Sequence, residues 1–288
     1  MISEIKTVAV IGAGTMGQGI AQVCAAAGFQ VSMFDVNPSS GNTAKAKIEA
    51  SLQSLVEKNK ISVPDKNAAV ARLHVIEKME DVRCDIAIEA AAENLEIKRK
   101  IFSQLEKTLP AHAVLTSNTS SIPITQIAVA LGRPSRFAGL HFFNPAPVMK
   151  LVEIIKGAAT TEETVILLEE FCVKLAKQSV RTQDSPGFIV NRVARHYYVE
   201  ALKVVEENVA SFSTVDSLLR ATGFKMGPFE LMDLIGIDVN FAVTSSIYHA
   251  FHQDSKFRPS RIQQQKVDAG QLGRKSGQGF YDYNKQHE

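Results

Sequence analysis

Residues 7–36 read TVAVIGAGTMGQGIAQVCAAAGFQVSMFDV, and the order of residue types in this stretch decides the fold. A β-branched run leads into a glycine cluster, an alanine-rich stretch ends at Gly28, and a second short apolar run follows. β-branched side chains suit extended backbone and alanine suits helix, so the stretch predicts strand, turn, helix, strand. Gly12, Gly14 and Gly17 satisfy G-x-G-x-x-G in that context. Such glycines permit the tight turn, the close approach of a pyrophosphate and close packing of the helix, with the phosphates at the helix N-terminus. Asp35 follows at the end of the second strand, where an acid accepts the adenosine ribose hydroxyls and repels a 2′-phosphate. NAD is thereby favoured over NADP. The plainer alternative is a glycine turn that only packs a helix on a sheet.

Composition bounds the rest. A chain of 288 residues is long enough for two domains. Its net charge of +2 offers no field that would imply nucleic-acid binding. Cys24, Cys84 and Cys172 are odd in number and widely spaced, which fits neither a disulfide framework nor a zinc site and suggests a reducing compartment. No apolar run approaches the roughly 18 residues of a membrane span. The first strand starts by about Thr7, leaving no room for a signal or transit peptide, so a cytoplasmic protein is expected.

The remainder of the N-terminal half continues the alternation of strand and helix. Residues 39–60 predict a helix in which Ile48, Leu52, Leu55 and Val56 keep helical spacing. Ser51 and Lys58, two turns apart, can address one ligand from one face, although a solvated charged face is the simpler reading. DIAIEAA at 85–91 predicts a strand leading into a helix with the stripe Leu95, Ile101, Leu105 and Leu109. Glu93 and Lys98 then fall at the C-terminal edge of a parallel sheet, where ligands bind. The strand within 113–124 ends at the same edge with Ser117, Asn118, Thr119, Ser120 and Ser121, whose ordinary role would be to cap the next helix.

His141 and Glu153 stand out in AGLHFFNPAPVMKLVEII, residues 138–155. FAGLHFF reads as a strand, NPAP as a turn and VMKLVEII as a returning strand. A reversal centred near Pro147 makes these two residues cross-strand neighbours, each six positions from it. An imidazole oriented by a carboxylate suits a general base near neutral pH, which alcohol oxidation with NAD requires. A buried structural pair is the alternative.

Residues 162–178 predict an amphipathic helix, and Pro186 with Gly187 punctuates the chain near a domain boundary at 184–188. A long helix follows, with Ile189, Val193, Tyr197, Ala201 and Val205 at four-residue intervals. Asn191 in its first turn is either a substrate hydrogen-bond donor or a solvated cap. The remainder is helical in character until the glycine-rich GQLGRKSGQGFYDY, where Lys275 either reaches the cofactor or is simply exposed. The expectation is an α/β, Rossmann-like N-terminal domain with a mainly parallel sheet at 1–185, and an all-α domain at 186–288 that dimerises.

VIGAGTMGQGIA, SNTSSIPIT, GLHFFNPAPVMKLVEII, DSPGFIVNR and LGRKSGQGFYDY occur in this order over nearly the full length. In these segments the chain resembles the L-3-hydroxyacyl-CoA dehydrogenases, especially the short bacterial 3-hydroxybutyryl-CoA dehydrogenases. The resemblance implies catalysis by His141 paired with Glu153, with Ser120 and Asn191 hydrogen-bonding the substrate. For NAD it implies Gly12, Gly14, Thr15, Met16, Gly17, Asp35, Glu93, Lys98, Asn118, Ser120, Asn144 and Lys275, and for the CoA moiety Ser51 and Lys58. It also implies a homodimer, and no metal. Two rivals share parts of the pattern. A β-hydroxyacid dehydrogenase would work through a lysine on a free acid, and a crystallin-like protein would use the fold without turnover.

Overall fold

The computed structural model describes residues 5–284 of the chain. Two compact units meet at Ser185 and Pro186. The first is built on one eight-stranded sheet: β1 Thr7–Ile11, β2 Gln30–Phe34, β3 Leu73–Ile76, β4 Ile86–Glu89, β5 Val114–Ser117, β6 Phe137–Phe142, β7 Leu151–Lys156 and β8 Gln178–Gln183. Their order is β3-β2-β1-β4-β5-β6-β7-β8. Every neighbouring pair is parallel except β6 and β7. Parallel neighbours need crossovers, and α1 Thr15–Ala26, α2 Pro38–Glu57, α3 Val63–Ala71, α4 Leu95–Thr108, α5 Ile124–Ala128 and α6 Glu162–Lys174 lie between strands as such connections require. The mixed but mainly parallel sheet is the fold class expected.

Burial explains why the inner strands read as unbroken apolar runs. β4, β5 and β6 are buried at every position, so side chains on both faces are enclosed. Phe29 and Phe171 meet at 5.2 Å between ring centroids, joining the turn between α1 and β2 to α6 within the main core. The three cysteines are buried and free.

Several local expectations change. The helix predicted to 178 ends at Lys174, Ala176 takes φ +54°, and the next residues form β8. β8 carries no apolar alternation and is held by its ladder to β7, Leu151 to Gln178 through Lys156 to Gln183. The returning strand of the hairpin begins at Leu151, so Val148, Met149 and Lys150 belong to the connection. The loop hydroxyls after β5 do not cap α5. Asp184 does so from far along the chain, accepting from Ile124 N at 2.9 Å and Thr125 N at 2.7 Å.

The second unit holds α7 Val190–Glu206, α8 Phe212–Ala221, α9 Pro228–Ile235, α10 Ile237–Ala250 and α11 Arg261–Asp268. Its core gathers Tyr198, Leu202, Val215, Phe229, Met232, Ile237 and Phe280. The expected stripe on α7 fails. Its buried face is Arg195, Tyr198, Val199, Ala201 and Leu202, while Val193 is 67% exposed. A four-residue step overshoots one turn by about 40°, so the four steps of this stripe leave any single face, and of the stripe only Ala201 is buried. The glycine-rich C-terminal segment is fastened to two buried carboxylates. Asp233 accepts from Phe280 N, Tyr281 N and Tyr283 Oη, and Asp216 accepts from Tyr281 Oη. Among the described residues no helix is long and apolar enough to cross a membrane, and no group of acidic, histidine and cysteine side chains could hold a metal ion.

Burial pushes the Cys84 and Cys172 thiols up to about 12 and Cys24 higher still. The native protein is therefore expected to leave all three thiols unreacted with a thiol-specific reagent near pH 8, and denaturant should release all three. Fast reaction of any one in the native state would contradict this packing.

Candidate active site

The site is assembled at the C-terminal ends of β1, β4, β5 and β6. Between β1 and α1, Gly12 takes φ +107° and its N–H donates to Phe34 O at 2.8 Å, tying the loop to β2. A Cβ at Gly12 would lie 2.5 Å from Ala90 O, and one at Gly17 would run into Gly12 O. Gly14 is the N-cap of α1, with no side chain capping the helix and nothing within 4 Å of where its Cβ would stand. Uncapped N–H groups beside open space are what a pyrophosphate requires, so this loop fits NAD. Thr15 is exposed and Met16 half-buried in the first turn. Asp35 accepts from Ala13 N at 2.7 Å and Asn37 N at 2.9 Å, so the acid expected at the ribose shapes the glycine loop.

A buried ionic cluster lies at the ends of β4 and β5. Glu89 is 0% exposed and Lys98 1%. The Lys98 ammonium donates to both Glu89 oxygens, at 2.7 and 2.9 Å, and lies 3.2 Å from Glu93 Oε2. Glu89 further accepts from Ser117 Oγ at 2.6 Å and Ala91 N at 2.7 Å. Glu93 Oε1 accepts from Thr119 Oγ1 at 2.6 Å, Ser121 Oγ at 3.0 Å, Ser120 N at 3.1 Å and Ser121 N at 3.2 Å. Glu93, placed at this edge by the sequence, thus meets the serine-rich loop directly, and Lys98 reaches it only through Glu93. Glu89 is the added part, and Ser117 and Thr119, expected at this strand end as capping hydroxyls, bind the two carboxylates instead. The signal for Glu89 is a lone acid in the apolar strand IAIE, facing hydroxyls at the end of the neighbouring strand.

His141 and Glu153 are directly opposed in the antiparallel β6–β7 ladder. His141 Nδ1 and Glu153 Oε2 are 2.8 Å apart, with the residues 5% and 1% exposed. The reversal near Pro147 therefore brings the pair together as its spacing predicts. A buried carboxylate needs hydrogen bonds, and an imidazole engaged at Nδ1 has a fixed ring plane. Phe143 packs against that ring at 4.5 Å. Asn118 Oδ1 accepts from Phe142 N at 2.8 Å, linking the loop after β5 to the residue beside His141.

The remaining residues are more dispersed. Asn144 is exposed in the β6–β7 connection. Ser51 is exposed on α2 and Lys58 is that helix's C-cap. Asn191 and Lys275 belong to the second unit. Asn191 lies half-buried in the first turn of α7, and the Lys275 ammonium pairs with Asp238 at 2.6 Å.

Burial opposes charge on Glu93, but the Lys98 charge and the bonds from Thr119, Lys98 and Ser121 outweigh it and hold the carboxyl below its ordinary 4.5. A carboxyl depressed on folding contributes stability above its unfolded value, and that contribution is lost as pH falls through the folded value. The melting temperature should accordingly exceed that of Glu93→Gln near pH 7, with the gap closing as pH drops below 4.5. A gap independent of pH would show that Glu93 carries no such charge interaction.

Residues 7–185 match the NAD binding domain of 3-hydroxyacyl-CoA dehydrogenase, and residues 187–283 match the C-terminal domain of the same enzyme. The chain is 49% identical to the 3-hydroxyadipyl-CoA dehydrogenase of Escherichia coli, an alignment covering 100% of this chain and 61% of that protein. The chain thus spans about three fifths of that relative's length. It is 42% identical to a probable 3-hydroxybutyryl-CoA dehydrogenase of Bacillus subtilis, over 97% of this chain and 98% of the relative. The crystal structure of (S)-3-hydroxybutyryl-CoA dehydrogenase from Ralstonia eutropha is similar with a TM-score of 0.93 at 40% identity, covering 98% of this chain and 100% of that one. With both domains matched in order, the chain belongs to the 3-hydroxyacyl-CoA dehydrogenase family.

Proposed function

We propose that the protein interconverts an (S)-3-hydroxyacyl-CoA and its 3-oxoacyl-CoA, with 3-hydroxybutyryl-CoA as substrate and His141 with Glu153 as the proton-transfer pair. The observation that carries this reading is the 2.8 Å contact between His141 Nδ1 and Glu153 Oε2. With Nδ1 turned to the carboxylate, Nε2 is the atom that takes the 3-hydroxyl proton in oxidation and returns it in reduction. Glu153 stabilises the imidazolium so formed and keeps the ring from rotating. NAD, when bound, accepts the hydride from C3 or gives it back. The glycine loop with Thr15 and Met16 would hold its pyrophosphate and Asp35 its adenosine ribose, with Glu93, Lys98, Asn118, Ser120, Asn144 and Lys275 assigned to the same cofactor.

Ser120 and Asn191 position the reacting oxygen or the thioester carbonyl, so that the hydroxyl proton meets His141 in a productive orientation. The Ser120 backbone N–H donates to Glu93 Oε1 at 3.1 Å, which holds the segment of chain that carries this hydroxyl. Ser51 and Lys58 take the CoA moiety, one exposed on α2 and the other at its end. Self-association through the helical unit is supported by exposed apolar side chains there, among them Val193, Leu218 and Phe224. The buried free thiols suit the cytoplasm. A six-carbon dicarboxylic substrate is the second reading, favoured by the 49% identity to a protein named 3-hydroxyadipyl-CoA dehydrogenase.

Incubation with acetoacetyl-CoA and NADH should give steady loss of NADH absorbance, and folded protein that leaves NADH untouched would overturn the assignment. His141→Ala should lower kcat by roughly 10²–10⁴-fold while NADH binding, read by its fluorescence, stays near the parent value. Full activity in that variant would remove His141 from the mechanism. Specificity constants across a series of 3-oxoacyl-CoA lengths should peak at the four-carbon substrate. A peak at the adipyl thioester would transfer the assignment to the second reading.

A further inference from the structure

Glu89 is the most deeply enclosed acid at the sheet edge, and its side chain bonds Ala91, Lys98 and Ser117 rather than His141 or Glu153. Its side chain accepts four hydrogen bonds from three separate segments: Ala91 after β4, Lys98 on α4, which donates twice, and Ser117 at the end of β5. Glu89 O also accepts from Asn118 N at 2.7 Å, so the same residue pins the loop through its backbone. The Lys98 ammonium, held by both Glu89 oxygens, directs its remaining donor capacity to Glu93. Glu93 in turn gathers the backbone N–H groups of Ser120 and Ser121 on one oxygen. A chain of charge-assisted bonds thus runs from the buried strand end to the backbone of the serine assigned to the substrate.

We propose that Glu89 is a positioning residue for the reaction, acting through Lys98 and Glu93 to set where the Ser120 hydroxyl stands. The inference rests on the substrate-side reading of Ser120. A helix lysine with 1% exposure cannot recover its lost partner from water, so without the Glu89 charge it must lean on Glu93 alone or move outward. Either change shifts the Glu93 carboxylate, whose other oxygen holds Ser120 N. Glu93 is 38% exposed and is free to follow the ammonium, whereas Glu89 is not. The rigid member of the cluster is therefore the one farthest along the chain of bonds from the substrate.

The test is a cycle of Glu89→Gln, Ser120→Ala and the double variant, measuring kcat and KM for acetoacetyl-CoA reduction together with melting temperature. If Glu89 acts through Ser120, Glu89→Gln should lower kcat about tenfold in the parent and less than about twofold in the Ser120→Ala background. Its effect on melting temperature should be the same in both backgrounds. Equal kcat losses in both backgrounds, or a fall in melting temperature with kcat unchanged, would overturn the proposal. Should Glu89→Gln fail to fold, Glu89→Asp enters the same cycle, keeping the charge but withdrawing it from Lys98. If Ser120→Ala alone leaves kcat and KM unchanged, the reading of Ser120 fails, and the positioning role falls with it.

Discussion

A carboxylate enclosed by apolar strands must be met by donors, and Glu153 at 1% exposure satisfies that requirement through His141. The constraint reaches well beyond two side chains. It selects the register of β6 against β7, because a slip of one residue would turn His141 and Glu153 to opposite faces of the sheet. It also accounts for the single antiparallel step in an otherwise parallel sheet, since a short reversal is the only connection that sets these residues opposite each other within twelve positions.

A second buried acid obeys the same rule a few strands away. Glu89 is met by Lys98, Ser117 and Ala91, and the surplus donor capacity of Lys98 draws Glu93 and the serine-rich loop into place. Asn118 connects the two regions through Phe142 N, next to His141. The strand ends are therefore ordered by polar contacts as much as by the apolar core beneath them. Buried polar groups arranged in this way specify geometry more than they add stability.

The parts that were legible from sequence are those in which a residue type is tied to a local geometry. The glycine loop and Asp35 announce the first β-α-β unit, and Pro147 lies at the midpoint between His141 and Glu153. Features set by distant partners were not legible. Asp184 caps α5 across some sixty residues, which no local pattern encodes. β8 is a strand through its ladder to β7 rather than its own composition, and α3 and β3 carry little periodicity beyond the Ser62–Asp65 capping box. The four-residue stripe on α7 misled because it ignored the helical drift that places Tyr198 and Leu202 inside. For the site, sequence places Lys98 at the ligand edge of the sheet, whereas its ionic partner Glu89 emerges only once β4, α4 and β5 are brought together.

The central claim is that Glu153 orients His141 through Nδ1. Nitrogen-15 NMR of the imidazole in the native protein and in Glu153→Gln tests it most directly. The account predicts a hydrogen-bonded Nδ1–H signal in the native protein that shifts or disappears when the carboxylate is replaced. An identical His141 spectrum in the two proteins would contradict it.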